Sequence, residues 1–535
     1  MRMSRRTLLA GAALGGLMVP AGYEGARRAK KWWAEGGTPS EARVELADVP
    51  TQRLADLLRG VWRVTAPDTS DLHGTTLLLD AGERGRGLRG YLDTYERLAS
   101  GAIPRFKVIG DLVGASARQV RWRLMDQNAG NRATAYALTA TLTDLWGGVG
   151  VADNDLLTGT VAQTSGEGSH ATVGFSARKL AFPEARERIA LEPAFMQWLI
   201  TPQHRLAHQL WHTVRDKWHL IGDDRRQALR GLGWQPGPRG EERDSRGRYK
   251  DKNGSGVDFL YMHRFMLSEA AKLGAPEPWA FFPLPRPAVD TDRVAFIRYF
   301  ENQDGRSIPP TWLAPGDETY SQGMASIKSR DVYDGNFQVW ESRYRDPEYL
   351  ANMTLGQFGS ELELSLHDWL HMCWASVARA PLNGQPLPMA RQPTDFAEGW
   401  FQAGNDFLGD PFSSHVHPLF WGFHGWIDAR IDDWHAAHER FHPGEVKVVQ
   451  VRGVRWFEQG RWVEQDNPWM GPVSHGCADG PGIWMRTAME NDLEVMKIAL
   501  RLAVEPRSTL GDALERAQER PWYARNLPST PLQRS

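Results

Sequence analysis

The spacing of apolar residues changes near residue 183, and no other feature restricts the fold of this chain as much. Between residues 53 and 182 the apolar positions come in short alternating runs. Examples are Gly60-Val61-Trp62-Arg63-Val64 and residues 75–79, 120–124, 135–142 and 171–175. A period of two places successive side chains on opposite faces of a strand. Turn-forming clusters separate the runs, among them Asn128-Ala129-Gly130-Asn131 and residues 164–168. Short strands with Gly-rich turns predict an antiparallel β-barrel over residues 53–182. From residue 183 to about 505 the apolar positions recur at helical spacing, near 202–220, 259–272, 362–378 and 419–438. The expected fold is therefore α+β and multidomain: a barrel, a mainly helical domain, and a tail over residues 506–535.

The chain has 535 residues, enough for two such domains. Its formal net charge of -2 leaves no basic excess for a phosphate backbone, so no nucleic acid partner is expected. Gly60-x-Trp62 resembles the opening strand of lipocalin- and streptavidin-like barrels. Small barrels can hold a ligand, but no chemistry-bearing cluster marks this one, and a supporting or shielding role is expected. At the start of the chain, Ser4-Arg5-Arg6-Thr7-Leu8-Leu9 and the apolar run over residues 8–20 resemble a twin-arginine export signal. That resemblance implies a folded protein exported to the periplasm, with residues 1–35 as signal and N-terminal segment and a charged linker to about residue 50. The run is shorter than the roughly 20 apolar residues of a spanning helix. No later stretch is long and apolar enough, so no stable membrane span is expected after export. In an oxidising compartment Cys373 and Cys477 could pair.

Most of the 16 histidines lie after residue 200, on a few helical segments. His367 and His371 stand at i and i+4, which stacks them one turn apart on one helix face. One ion can take both. Further upstream, His204, His208, His212 and His219 fall within a sector of about 80° at 100° per residue. Any i,i+4 pair among them could hold an ion. His208 and His212 form the central pair, with His204 and His208 as the alternative.

His417-Pro418-Leu419-Phe420-Trp421-Gly422-Phe423-His424-Gly425-Trp426-Ile427-Asp428 resembles the copper-B signature of the tyrosinase (type-3 copper) family. That signature reads Asp-Pro-x-Phe-x-x-His-His, three residues, Asp. Pro418, Phe420, His424 and Asp428 match in register, while His417 replaces the leading Asp and Phe423 the first of the paired histidines. His367 and His371 lie roughly fifty residues upstream, where the family has its first two copper-B ligands. Asp258-Phe259-Leu260-Tyr261-Met262-His263-Arg264 resembles the segment with the family's third copper-A ligand, although Gly254 stands where the family has another histidine.

The resemblance implies two copper ions, one on His208, His212 and His263 and one on His367, His371 and His424. Three imidazoles alone would also suit zinc, iron or nickel; two His triplets on helices without a Cys ligand look like type-3 copper. The implied activity uses dioxygen to oxidise a monophenol to an o-diphenol and an o-quinone. A catechol oxidase acting only on diphenols and a dioxygen-binding protein are the alternatives. The barrel-plus-helices layout and export signal resemble the periplasmic branch of the family that matures pyoverdine-type siderophores, which implies a phenolic or tyrosine-containing peptide substrate. A homodimer stays open. Glu363, one turn before His367, would take the phenol proton through a water, and Asp368 would help orient it. Asp428 would accept a hydrogen bond from an imidazole N–H. Phe423 would shape access to the copper. Tyr523, in the tail Arg520-Pro521-Trp522-Tyr523, would insert as a lid.

Overall fold

The computed structural model describes residues 58–471 and 490–504, apart from 69, 82–86, 113–118, 128–133, 145–155, 164–171, 181–183, 219–220, 236–254, 286, 288, 290–291, 302–304, 313–317, 380–385 and 388–395. The export signal, both turns named above, His219, Gly254, Cys477 and the Tyr523 tail lie outside the described residues.

Eight strands close into an antiparallel barrel in simple sequence order. They are β1 (Gly60–Thr65), β2 (Thr76–Ala81), β3 (Leu88–Asp93), β4 (Phe106–Leu112), β5 (Gln119–Asp126), β6 (Thr134–Asp144), β7 (Leu156–Gln163) and β8 (Thr172–Lys179). Closure joins β1 to β8, with Trp62 opposite Lys179 and Val64 opposite Ala177. Alternation sorts the side chains. Trp62, Val64, Leu77, Leu79, Val108, Trp122, Leu138 and Phe175 pack together as one buried core. The opposite parity of β1 and β2, Val61 and Leu78, packs instead against Leu98, Phe296, Ile297 and Phe300. Gly110 is required by the indole beside it, since a Cβ there would lie 2.1 Å from the Trp122 ring.

The chain divides into two compact units, and the barrel unit recruits residues from far along the sequence. It comprises Met1–Arg188, Leu284–Ser321 and Gln385–Pro388. The helix Arg293–Phe300 therefore belongs with the barrel, although it falls within the bounds 183–505 expected for the helical domain. Arg293 donates to the carbonyl oxygens of Leu98 and Ala102.

The second unit comprises Ile189–Pro283, Gln322–Gly384 and Met389–Ser535. Its principal helices are α1 (Pro202–Lys217), α2 (Ser255–Ala271), α3 (Asp368–Trp374), α4 (Pro418–Phe441) and α5 (Glu490–Val504). Thr201 caps α1 and Pro202 occupies its first turn, a favoured start because proline has no N–H to leave unpaired. Leu206, Leu210 and Val214 of α1 pack with Met496, Ala499 and Leu500 of α5. The segment before α3 is not one uniform helix: α-helix over Leu355–Glu361 gives way to a π-helical turn over Leu362–His367. No helix among the described residues is long and apolar enough to cross a membrane.

Candidate metal centre

Four helical segments of the second unit deliver six buried imidazoles to its core. His208 and His212 come from α1, His263 from α2, His367 and His371 from the π turn and α3, and His424 from α4. Glycine lets two of these segments approach. A Cβ on Gly256 of α2 would lie 2.1 Å from the Gly356 carbonyl oxygen, and one on Gly359 would lie 2.2 Å from that of Gly256. The backbones touch where any larger residue would hold α2, and His263 with it, away from the His367 segment.

The ring nitrogens converge in two adjoining sets. His208, His212 and His263 each offer a nitrogen within 4.8 Å of the others, and so do His263, His367 and His424. His263 is common to both. Nε2 of His371 lies 3.1 Å from Nε2 of His367, which lies 3.2 Å from Nε2 of His424. The sets also face each other ring to ring, with His212 stacked over His367 at 6.0 Å and His263 over His424 at 4.6 Å.

The other ring nitrogens fix the protonation. Nδ1 of His208 lies 2.6 Å from the Pro411 carbonyl oxygen, Nδ1 of His263 2.9 Å from that of Phe259, Nδ1 of His371 2.6 Å from that of Leu408, and Nδ1 of His424 2.8 Å from that of Phe420. A carbonyl oxygen only accepts, so each Nδ1 carries the hydrogen and each Nε2 keeps its lone pair. Nδ1 of His367 faces the Asp368 carboxylate at 3.3 Å, with the same consequence. Burial holds the rings neutral. It pushes His208 down to about 3 and holds His212, His263, His367, His371 and His424 well below the ordinary imidazole range. The Nε2 lone pairs of His371 and His424 thus both face that of His367 without a proton between them. Bonds of about 2.0–2.1 Å from one ion to such nitrogens place them roughly 3–3.5 Å apart. The donor set fits a metal ion.

The loop over residues 402–417 supplies two of the orienting carbonyls, and α1 organises that loop. The buried Arg205 guanidinium donates to the carbonyl oxygens of Gln402 (2.7 Å), Asn405 (2.9 Å) and Phe412 (3.2 Å). One arginine, beside His204 in sequence, thereby sets Leu408 and Pro411 against His371 and His208. Aromatic rings wall the cluster. Phe420 stacks on His424 at 3.7 Å, Phe259 lies 4.9 Å from His367, and Phe423 packs on His371 at 4.9 Å. Phe423 is thus a buried wall of the site.

His204 does not join the six. Its ring stacks on His415 at 4.3 Å and meets Trp198 edge-on. Between the two pairs left open by the helical spacing, His208 and His212 are the pair brought to His263. Two carboxylates stand elsewhere than expected. Asp428 does not receive an imidazole N–H, because the His424 hydrogen is taken by its own preceding turn. Asp428 instead accepts from Arg264 Nε at 2.7 Å, linking α4 to the residue next to His263. Glu363 is buried and held through both oxygens by Arg215, with Oε2 accepting from Nη2 at 3.0 Å. Glu363 lies on the same π turn as His367. Asp368 touches His367 itself. His417 caps α4, its Nδ1 accepting from Leu419 N at 3.3 Å. Cys373 is buried with its thiol pushed up to about 12.

Arg205, Arg215 and the carbonyls of Leu408 and Pro411 were not singled out in the sequence. An arginine next to each end of a His-rich helical stripe was the available signal for the first two; backbone acceptors leave none. No protein-family model matches the chain, and no curated protein matches it either.

Proposed function

We propose that the helical unit is a dinuclear copper oxidase that uses dioxygen to oxidise a phenol. The observation that carries this reading is the pair of adjoining imidazole sets, with Nδ1–H of five rings fixed on oxygens. His208, His212 and His263 would hold one ion, and His367, His371 and His424 the other. Two copper ions so held would supply the redox capacity to reduce dioxygen while a phenol is oxidised. The chain's own part is to keep the six rings neutral, to aim the Nε2 atoms of His208, His263, His367, His371 and His424, and to surround the rings with Phe259, Phe420 and Phe423 so that bulk water stays out. Asp368 holds the His367 tautomer. The match of Pro418, Phe420, His424 and Asp428 to the tyrosinase signature supports copper over zinc.

The Arg215–Glu363 pairing favours oxidation of diphenols over hydroxylation of monophenols. With both Glu363 oxygens on the guanidinium, this carboxylate is not presented to a phenol proton, which removes the base that hydroxylation of a monophenol was expected to use. We keep the twin-arginine start and the pyoverdine-type peptide phenol as the proposed address and substrate class. The test is copper content and phenol turnover. The copper-loaded chain should carry two ions and oxidise a catechol, and His367→Ala, His371→Ala and His424→Ala should each lose one ion and turnover. Two retained ions with undiminished turnover in any of these variants would refute the assignment.

A further inference from the structure

We propose that His415, an imidazole outside the six, is a positioning residue that holds the ligand ring of His208. This rests on the copper reading for the identity of the ion, and on hydrogen bonding for the rest.

His415 is fully buried on the short 3-10 turn Ser414–Val416, immediately before α4. Its Nε2 lies 3.1 Å from the Leu199 carbonyl oxygen. Because that oxygen only accepts, Nε2 carries the hydrogen and Nδ1 keeps the lone pair. That lone pair lies 3.1 Å from Nδ1 of His208, whose hydrogen also faces the Pro411 oxygen at 2.6 Å. The His208 N–H is therefore shared between two acceptors, and the hydrogen order from Leu199 through His415 to His208 leaves one outcome: Nε2 of His208 presents its lone pair towards His212 and His263.

The His415 ring is itself held. His204 stacks on it at 4.3 Å with the planes 3° apart, and Trp421 Nε1 donates to the His415 carbonyl oxygen at 3.0 Å. The turn that carries His415 leads directly into the helix that carries His424. The same stretch of chain thus delivers a ring to the second set and holds a ring of the first. An acceptor on the far nitrogen of a metal-bound imidazole fixes its orientation and raises its basicity, and losing such a partner typically weakens metal affinity about 10–100-fold.

Three variants separate this role from a merely structural one. In His415→Asn the amide oxygen replaces the Nδ1 acceptor and the Leu199 contact is lost. In His415→Gln the terminal amide reaches towards Leu199 and the acceptor is lost. His415→Phe keeps the ring and loses both. Competition of a chromogenic chelator for copper(I) reads each ion's affinity. His415→Phe and His415→Gln should weaken one of the two ions about 10–100-fold and spare the other, while His415→Asn stays within a few-fold of the parent. In the metal-free chain labelled with 15N-histidine, the His208 Nδ1–H resonance should shift in the Phe and Gln variants and hold in the Asn variant. A general loss of folding would strike Asn and Gln alike. Equal losses in those two, or no loss in Phe and Gln, overturn the inference. A parent chain that binds no copper refutes the copper reading instead, and the metal-free resonance then decides the role of His415.

Discussion

The two units fill their centres with different chemistry. The barrel interior is apolar: Trp62, Trp122, Leu77, Leu79, Val108 and Phe175 fill it, and one indole N–H finds a backbone acceptor, from Trp62 to Leu58 O at 2.9 Å. Such a core gains stability by removing area from water, and any side chain of similar size and shape would serve. Among the described residues the helical unit buries ten imidazoles, the six of the centre included, with Arg205, Arg215, Glu363 and Asp258. Each polar group there costs free energy unless it is satisfied, so the helices must meet in one register and with one pattern of hydrogens. The difference teaches where to look for function. Burial alone does not distinguish the two cores; burial of groups that an apolar core would never select does.

The largest effect should fall on the residue that both imidazole sets share. His263→Ala removes a ligand of the first ion and the ring that also stands beside His367 and His424, so the chain should lose one ion, hold the other more weakly and lose all phenol oxidation, while its far-UV dichroism stays that of a folded protein. One ion retained at parent affinity would show that the sets do not share this ring. The barrel should answer differently. Trp122→Ala empties a large space against Gly110 and should cost about 3–5 kcal/mol of stability in denaturant melts. The folded fraction should still carry two ions per chain; a loss of copper there would mean that the two cores are not separable.

The smallest effect concerns Asp258, buried on α2 and accepting from Trp469 N at 2.7 Å and from Gln465 at 2.5 Å. Burial pushes its carboxyl up to about 7, with Arg215 opposing. Between about pH 4 and 7 the folded chain keeps a proton that the unfolded chain has released. This group therefore lowers stability progressively as pH rises through that window. Asp258→Asn mimics the protonated form and removes the dependence. Melts of the metal-free chain should show a difference in slope of up to about 1.4 kcal/mol per pH unit between parent and variant. Parallel stability curves would place the Asp258 carboxyl in the ordinary range.

Much of the site was legible in local spacing. His367 and His371, His208 and His212, and Phe420 four residues before His424 all act within one helix, where an i,i+4 spacing fixes the neighbours without knowledge of the rest. The strands β1, β2, β5, β6 and β8 followed from alternation. β3, β4 and β7 did not, because Gly90, Arg89, Lys107, Gly110, Asp111 and Gly159 interrupt their apolar pattern and only pairing with neighbouring strands defines them. The helix Arg293–Phe300 illustrates the same limit at larger scale: it was not singled out in the sequence, and its partners Val61 and Leu78 lie more than two hundred residues earlier.

By itself, then, the sequence determined the two kinds of layer, the four His-bearing helical segments and the motif around His424, because these depend on residues a turn or a pleat apart. The tertiary structure alone decided that His204 stacks on His415 while His208 meets His263, that Arg215 takes Glu363, and that Arg264 takes Asp428. Each of those choices joins groups on different elements. Its outcome turns on helix crossings set by glycine contacts, on a π turn that changes the winding, and on which backbone carbonyl reaches a ring nitrogen first, none of which leaves a period in the chain.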